Sequence, residues 1–189
     1  MGVKTDRRIA KTRDTILQSF ISLISEKNFE DITINEIADR ANVNRGTVYF
    51  HYQDKYDLLN TCIELYLNKM ISATTTTDAN GETIDLIQSS FLPVIRYFEE
   101  NHHFYVSMLS NKGIPAFRER MLELVTSHIN VHINMEGNNK EYSKELMTQF
   151  IGSAFVGVIE WWILNSMPQS PEEVADQLWG LFKRNQVIN

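Results

Sequence analysis

The sequence predicts an all-α protein, and three observations carry that prediction. Apolar residues recur at helical spacing along nearly the whole chain, and no stretch alternates convincingly as a strand. Turn and cap residues punctuate the pattern at Asn28, Asn42, Gly113, Gly137 and Pro171. One stretch, Ser143 to Asn165, is apolar almost all round, so something must cover it on every side.

The elements follow in order. Ile9, Ile16, Leu17, Phe20, Leu23 and Ile24 form the stripe of a first helix, which Asn28 is placed to stop in a left-handed conformation. Thr33 with Glu36 has the form of a capping box, and opens a short helix that runs to about Arg40. Asn42 offers a tight turn before a second short helix, about Asn44 to Phe50. Asp54 caps a helix striped by Leu58, Leu59, Cys62, Ile63, Tyr66, Leu67 and Met70. Ala73 to Gly81 is polar and reads as a loop. The next helix is expected to carry Ile84, Ile87, Phe91, Val94, Ile95 and Phe98, kinked at Pro93 because proline removes a backbone donor. A short helix spans about Phe104 to Asn111, with Gly113 as its stop. Pro115 opens a helix to about Met135, and Pro171 a last one striped by Val174, Leu178, Leu181 and Phe182. Gly152 and Gly157 leave room for another helix to approach the long apolar one.

Charge is unevenly placed. Residues 1–55 carry nine Lys/Arg against eight Asp/Glu, a balance of +1, while residues 56–189 carry nine against sixteen, a balance of −7. Lys4, Arg7, Arg8, Lys11 and Arg13 crowd the start, with Asp6 the one acid among the first thirteen residues. A polyanion would meet this end and be repelled by the rest; a solvated basic tail is the plainer alternative. A single cysteine, Cys62, leaves no internal disulfide and no four-thiolate zinc site. No apolar run approaches the roughly 18 residues of a membrane span, and no apolar segment follows the first residues as in a secretory signal. A cytoplasmic protein is expected.

The informative stretch is Ile32 to Leu59. Two short helices joined by a turn suit a helix-turn-helix, whose second helix enters the DNA major groove. Ile34, Ile37, Ala38, Val43 and Val48 supply an apolar seam, and Ala41 is small enough for a close crossing. The positions left over are Asn44, Arg45, Thr47, Tyr49 and His51. Arginine reads guanine, asparagine reads adenine, and a threonine methyl touches thymine. Gly46 lets the helix come close to DNA. Thr33 at a helix start can bind phosphate through its hydroxyl and backbone N–H, and Lys55 at the next helix start suits phosphate too.

Gly46-Thr47-Val48-Tyr49-Phe50-His51-Tyr52, followed by Lys55 and Leu58-Leu59, closely resembles the signature of the TetR/AcrR family of regulators. The likeness runs from about Arg7 to Tyr66. It implies an N-terminal three-helix helix-turn-helix domain, residues 1–54, and a C-terminal helical bundle, residues 55–189, that senses a ligand and dimerises. It also implies DNA contacts at Thr33, Arg45, Thr47, Tyr49, His51 and Lys55, with Val48 and Tyr52 in the core. Asn28 and Asn42 stand where the family often has glycine. Phe155 to Leu178 is similar to the C-terminal region of the subgroup that includes the dihydroxyacetone-kinase regulator type. The implied partners are a double-stranded DNA operator, a second copy of the chain, and a small-molecule effector or a partner protein. Repression is the implied sign. No cofactor is expected.

Other residues admit two readings. Phe98, Phe104, Tyr105, Met108, Phe155, Trp161 and Trp162 could line a ligand cavity, or could be core and dimer seam. His128, His132 and Glu136 have the one-turn spacing of a metal site, but the two histidines share a face with Met121, Val125 and Met135, so lining or core positions are the plainer reading and no metal is expected. Cys62 sits in an apolar stripe and reads as core. No phosphate loop, nucleophile elbow or triad is present, so an enzyme is not expected.

Overall fold

The computed structural model describes residues 2–77, 83–85, 91–110 and 114–184. Helix α1 spans Gly2–Glu26, α2 Ile34–Arg40, α3 Arg45–His51 and α4 Lys55–Ser72. After a pair of short strands follow α5 (Leu92–Glu100), α6 (His102–Ser110), α7 (Pro115–His132), α8 (Lys144–Leu164) and α9 (Pro171–Arg184). The architecture is all-α, an N-terminal helix-turn-helix head joined to a helical body.

Caps fix the head. Thr33 accepts from the Glu36 backbone N–H, and the Glu36 carboxylate accepts from the Thr33 backbone N–H (2.9 Å), closing the capping box. Asn42 takes the turn at φ 50°, so an asparagine supplies the left-handed residue that joins α2 to α3. Asn44 caps α3 through Gly46 N–H (2.8 Å), and Asp54 caps α4 through Tyr56 and Asp57 N–H. Ile16, Phe20, Phe29, Ile37, Val48, Tyr52 and Leu58 are fully or nearly fully buried, and hold α1 to α4 together. Arg40 reaches from α2 to the Glu26 carboxylate and Ser22 on α1, and Lys27 pairs with Glu36. Such exposed pairs add little stability, but they tie α2 to the end of α1.

In the body, α8 is central. Its Ile151, Phe155, Val156, Ile159, Trp162 and Ile163 are buried. Gly152 is where α7 comes closest: an added Cβ would meet Thr126 Cγ2 at 2.5 Å. The Trp162 indole N–H, buried with its ring, donates to Gln169 O at 3.0 Å. Of the described helices, α8 has the length and apolarity of a bilayer span, as the core helix of a globular protein also can. The head joins the body at α4 and α6. Tyr66 stacks on Phe104 with ring centres 3.8 Å apart, and Tyr97 OH donates to Tyr66 O at 2.8 Å.

Three expectations are corrected. Asn28 is extended (φ −61°, ψ 141°) and precedes a 3₁₀ turn, Phe29–Asp31, so α1 needs no left-handed stop. Within the stretch expected to be a loop, Thr75–Thr77 pairs antiparallel with Thr83–Asp85. β-Branched threonines favour that backbone, and strands of three residues are too short to show alternation. The helix expected from Ile84 instead starts at Leu92, with Pro93 in its first turn, where the missing N–H costs nothing; proline starts this helix rather than kinking it. Ile87 and Gly113 lie outside the described residues.

Candidate nucleic-acid interface and effector cavity

α3 is held by its buried side and presents the rest. Val48 and Tyr52 are buried, whereas Asn44, Arg45, Gly46 and Tyr49 are exposed and Thr47 and His51 are half-buried. Arg45 Nη2 donates to Tyr49 OH (3.1 Å) and its guanidinium lies over the Tyr49 ring, so the two side chains stand as one pre-positioned unit. Gly46 has open space around it: an added Cβ would find only the cap oxygen Asn44 Oδ1, at 3.4 Å. Its φ is not positive either. Among the described residues, nothing within the chain requires a glycine there. Burial and the nearby Arg13 charge hold the His51 pKa below the ordinary histidine value.

Phe50 was not among the expected DNA-facing residues, yet it is 75% exposed beside Tyr49. The signal was available, since position 50 lies one turn beyond Gly46 on the same side of α3. Thr33 is exposed, but the groups expected to meet phosphate are taken up by Glu36, which accepts from both its hydroxyl (2.8 Å) and its N–H. Lys55 is likewise engaged within the chain. Its ammonium turns inward, donating to Phe29 O (3.1 Å) and Glu30 O (2.8 Å) over the Phe29 ring. It closes the carbonyl end of the 3₁₀ turn, and its side chain is only 17% exposed.

The body contains an apolar cavity of about 50 Å³ between α4, α5, α7, α8 and α9. Met70, Phe91, Val125, Phe155 and Phe182 line it, and His128 and His132 supply imidazoles from α7. Those two rings lie 4.9 Å apart, and the His128 Nε2 atom is buried. Of the residues expected to line a cavity, Phe155 does so. Phe98, Phe104, Tyr105, Met108 and Trp162 are packed into the core, and Trp161 points outward at 48% exposure. Core and cavity residues share the same helical stripes, so spacing cannot separate them. The Cys62 thiol is fully buried, and burial pushes its pKa up to about 12, so it stays protonated.

The outward face of α8 differs. Leu146, Phe150, Trp161 and Leu164 are all exposed and fall on one narrow stripe. Gly157 lies in that stripe with nothing within 4 Å of an added Cβ.

A capped second helix with its polar and aromatic face turned outward, carried on a helical body, is the arrangement of a DNA-binding transcriptional regulator. Residues 16–62 match the family described as bacterial regulatory proteins, tetR family, and residues 85–184, over half of the chain, match the family described as transcriptional regulator C-terminal region. The chain belongs to the TetR family of transcriptional regulators. It is similar to the Transposon Tn10 TetC protein of Escherichia coli, 26% identical over 78% of each chain. It is 20% identical over 88% of its length to the uncharacterized HTH-type transcriptional regulator YxbF of Bacillus subtilis (strain 168), and that match spans 43% of YxbF. The probable acrEF/envCD operon repressor of Escherichia coli (strain K12) is 35% identical over 60 residues, 32% of this chain and 27% of the repressor. The chain thus spans less than half the length of YxbF and of the acrEF/envCD operon repressor. Its fold is that of a TetR transcriptional regulator from Streptococcus agalactiae 2603V, with a TM-score of 0.70, 21% identity and coverage of 96% and 98% of the two chains. It also matches the dihydroxyacetone kinase operon activator DhaS, with a TM-score of 0.67, 19% identity and coverage of 92% and 95%.

Proposed function

We propose that the chain acts in the cytoplasm as a homodimeric repressor that binds a pseudo-palindromic operator and is released by an effector. The observation that carries this is the outward face of α3, where Arg45, Tyr49 and Phe50 are exposed around a glycine that the chain itself does not require. Arg45, Thr47, Tyr49 and Asn44 read base edges, Gly46 lets the backbone approach, and His51 meets phosphate. Thr33 contributes from the start of α2 only by exchanging Glu36 for phosphate. Residues 1–54 form the DNA-reading unit and residues 55–189 the sensing and dimerising unit. The apolar stripe on α8, with Leu181 on α9, supports self-pairing, since a four-helix seam would cover it. Dimeric heads would occupy successive major grooves about 34–36 Å apart. Selection from a pool of random duplexes tests this. An inverted repeat with that half-site spacing is the expected outcome; failure to enrich any sequence at low salt overturns it.

The cavity supports an effector that is mostly hydrocarbon with one polar end for His128 and His132. A second reading, in which the body senses a partner protein, is favoured by size. About 50 Å³ is far below the roughly 300–1,000 Å³ of drug-sized ligand sites. Operator release by a protein in the absence of any small molecule would decide for it.

A further inference from the structure

From Arg7 to Lys11, every side chain on α1 is exposed. α1 begins at Gly2, yet Ile16 is the first residue in it that is buried among those described. Arg7, Arg8, Ile9 and Ala10 are all exposed, and even Ile9 is 40% exposed. Helix without a buried face is marginal in water, and the side chains from Arg7 to Lys11 lie outside the core.

Their charge and position are specific. At 3.6 residues per turn, Arg7, Lys11 and Arg8 fall within about 100° of arc, on the side of α1 opposite Ile16 and Phe20. Among the described residues no carboxylate pairs with any of the three. Arg13, on the face of α1 that carries Ile16 and Phe20, ties the helix to the end of α3. Arg13 Nε donates to Tyr52 OH at 3.3 Å, and its guanidinium lies 5.8 Å from the centre of that ring. Tyr52 directly follows α3, and Arg13 is close enough to bear on the charge of His51. Arg7 lies six residues further out, about 9 Å along the axis.

We propose that the arm is a second DNA contact, in which Arg7, Arg8 and Lys11 grip the phosphate backbone flanking the groove that α3 enters. This rests on the reading of α3 as the groove-entering helix. The acidic body, at −7 over residues 56–189, repels a polyanion, so attraction must come from the head and from this arm. The contact carries no sequence information. It adds affinity and orients the head.

The test is a salt series on a mixed-sequence duplex, followed by fluorescence anisotropy, with the full chain and with the triple variant Arg7→Gln, Arg8→Gln, Lys11→Gln. Glutamine keeps helix propensity and the sites are exposed, so folding is preserved, which circular dichroism checks. The slope of log K against log salt should become shallower by about 0.9 for each phosphate that the variant no longer neutralises. An unchanged slope in a folded variant overturns the arm. If the unmodified chain binds no duplex even at low salt, the α3 reading itself fails, which is a different outcome. A variant that binds DNA like the parent but changes its state of association in sedimentation would assign the arm to the acidic body of another copy, and this too overturns the proposal.

Discussion

α3 and α8 both turn large side chains outward, but the surroundings of those side chains differ. On α3, Tyr49 and Phe50 stand among Asn44, Arg45, Thr47 and His51, so apolar surface is interleaved with hydrogen-bond donors. On α8, Leu146, Phe150, Trp161 and Leu164 run along a stripe with Gly157 at its middle. The first face fits a partner with phosphate walls and base edges; the second fits only another apolar surface. Exposed apolar area alone therefore does not name a partner. What is mixed with it does.

Substitutions should separate the two faces. The largest effect is expected from Phe150→Glu, which places a charge in the α8 stripe. Dimerisation should weaken by at least about 2 kcal/mol for each such anchor, seen in sedimentation as a shift to monomer, and operator affinity should fall with it. A variant that stays dimeric would take the seam elsewhere. Tyr49→Ala should cost about 1–3 kcal/mol of operator affinity and leave both the dimer and the melting temperature unchanged. If instead the melting temperature fell, Tyr49 would be a packing residue.

Three glycines sharpen the contrast. Gly152→Ala must push on Thr126, and should lower unfolding free energy by about 1–3 kcal/mol in a denaturant titration. Gly157→Ala meets nothing in its own chain, so the fold should tolerate it and only association should respond. Gly46→Ala should leave the head as stable or stabilise it by up to about 1 kcal/mol, while weakening operator binding in a gel shift. Equal affinity would show that α3 does not approach DNA closely at that point.

The smallest effect concerns pH. The Lys27 and Thr33 hydrogen bonds lower the Glu36 pKa to about 2 from the ordinary 4.5. The folded pKa is depressed, so the stabilisation is complete above about pH 4.5 and is lost as pH falls through about 2. Glu36→Gln should therefore flatten part of the acid limb of the thermal stability curve of the head. Because Glu36 is solvent-exposed, the change should also shrink in high salt.

Much of the head was legible because its signals are local. Thr33 and Glu36 are three residues apart, Asn44 and Asp54 cap the helices that follow them, and Asn42 needs only its own tolerance for positive φ. Ser143 and Asn165 likewise mark the ends of α8. The inward turn of Lys55 was not legible, because its acceptors Phe29 O and Glu30 O lie some 25 residues away in sequence. Nor was the threonine strand pair, whose two strands are separate in sequence.

Sequence alone determined most of the helices, the caps of α2, α3 and α4 and the side of α3 that carries donors, since each depends on neighbours within a turn or two along the chain. Only tertiary structure decided that Phe98, Phe104, Met108 and Trp162 fill the core while His128, His132 and Phe155 border a cavity. All of these sit on apolar stripes. Whether a stripe ends against atoms or against empty space depends on how four or five helices meet, and that is a property of the whole packing.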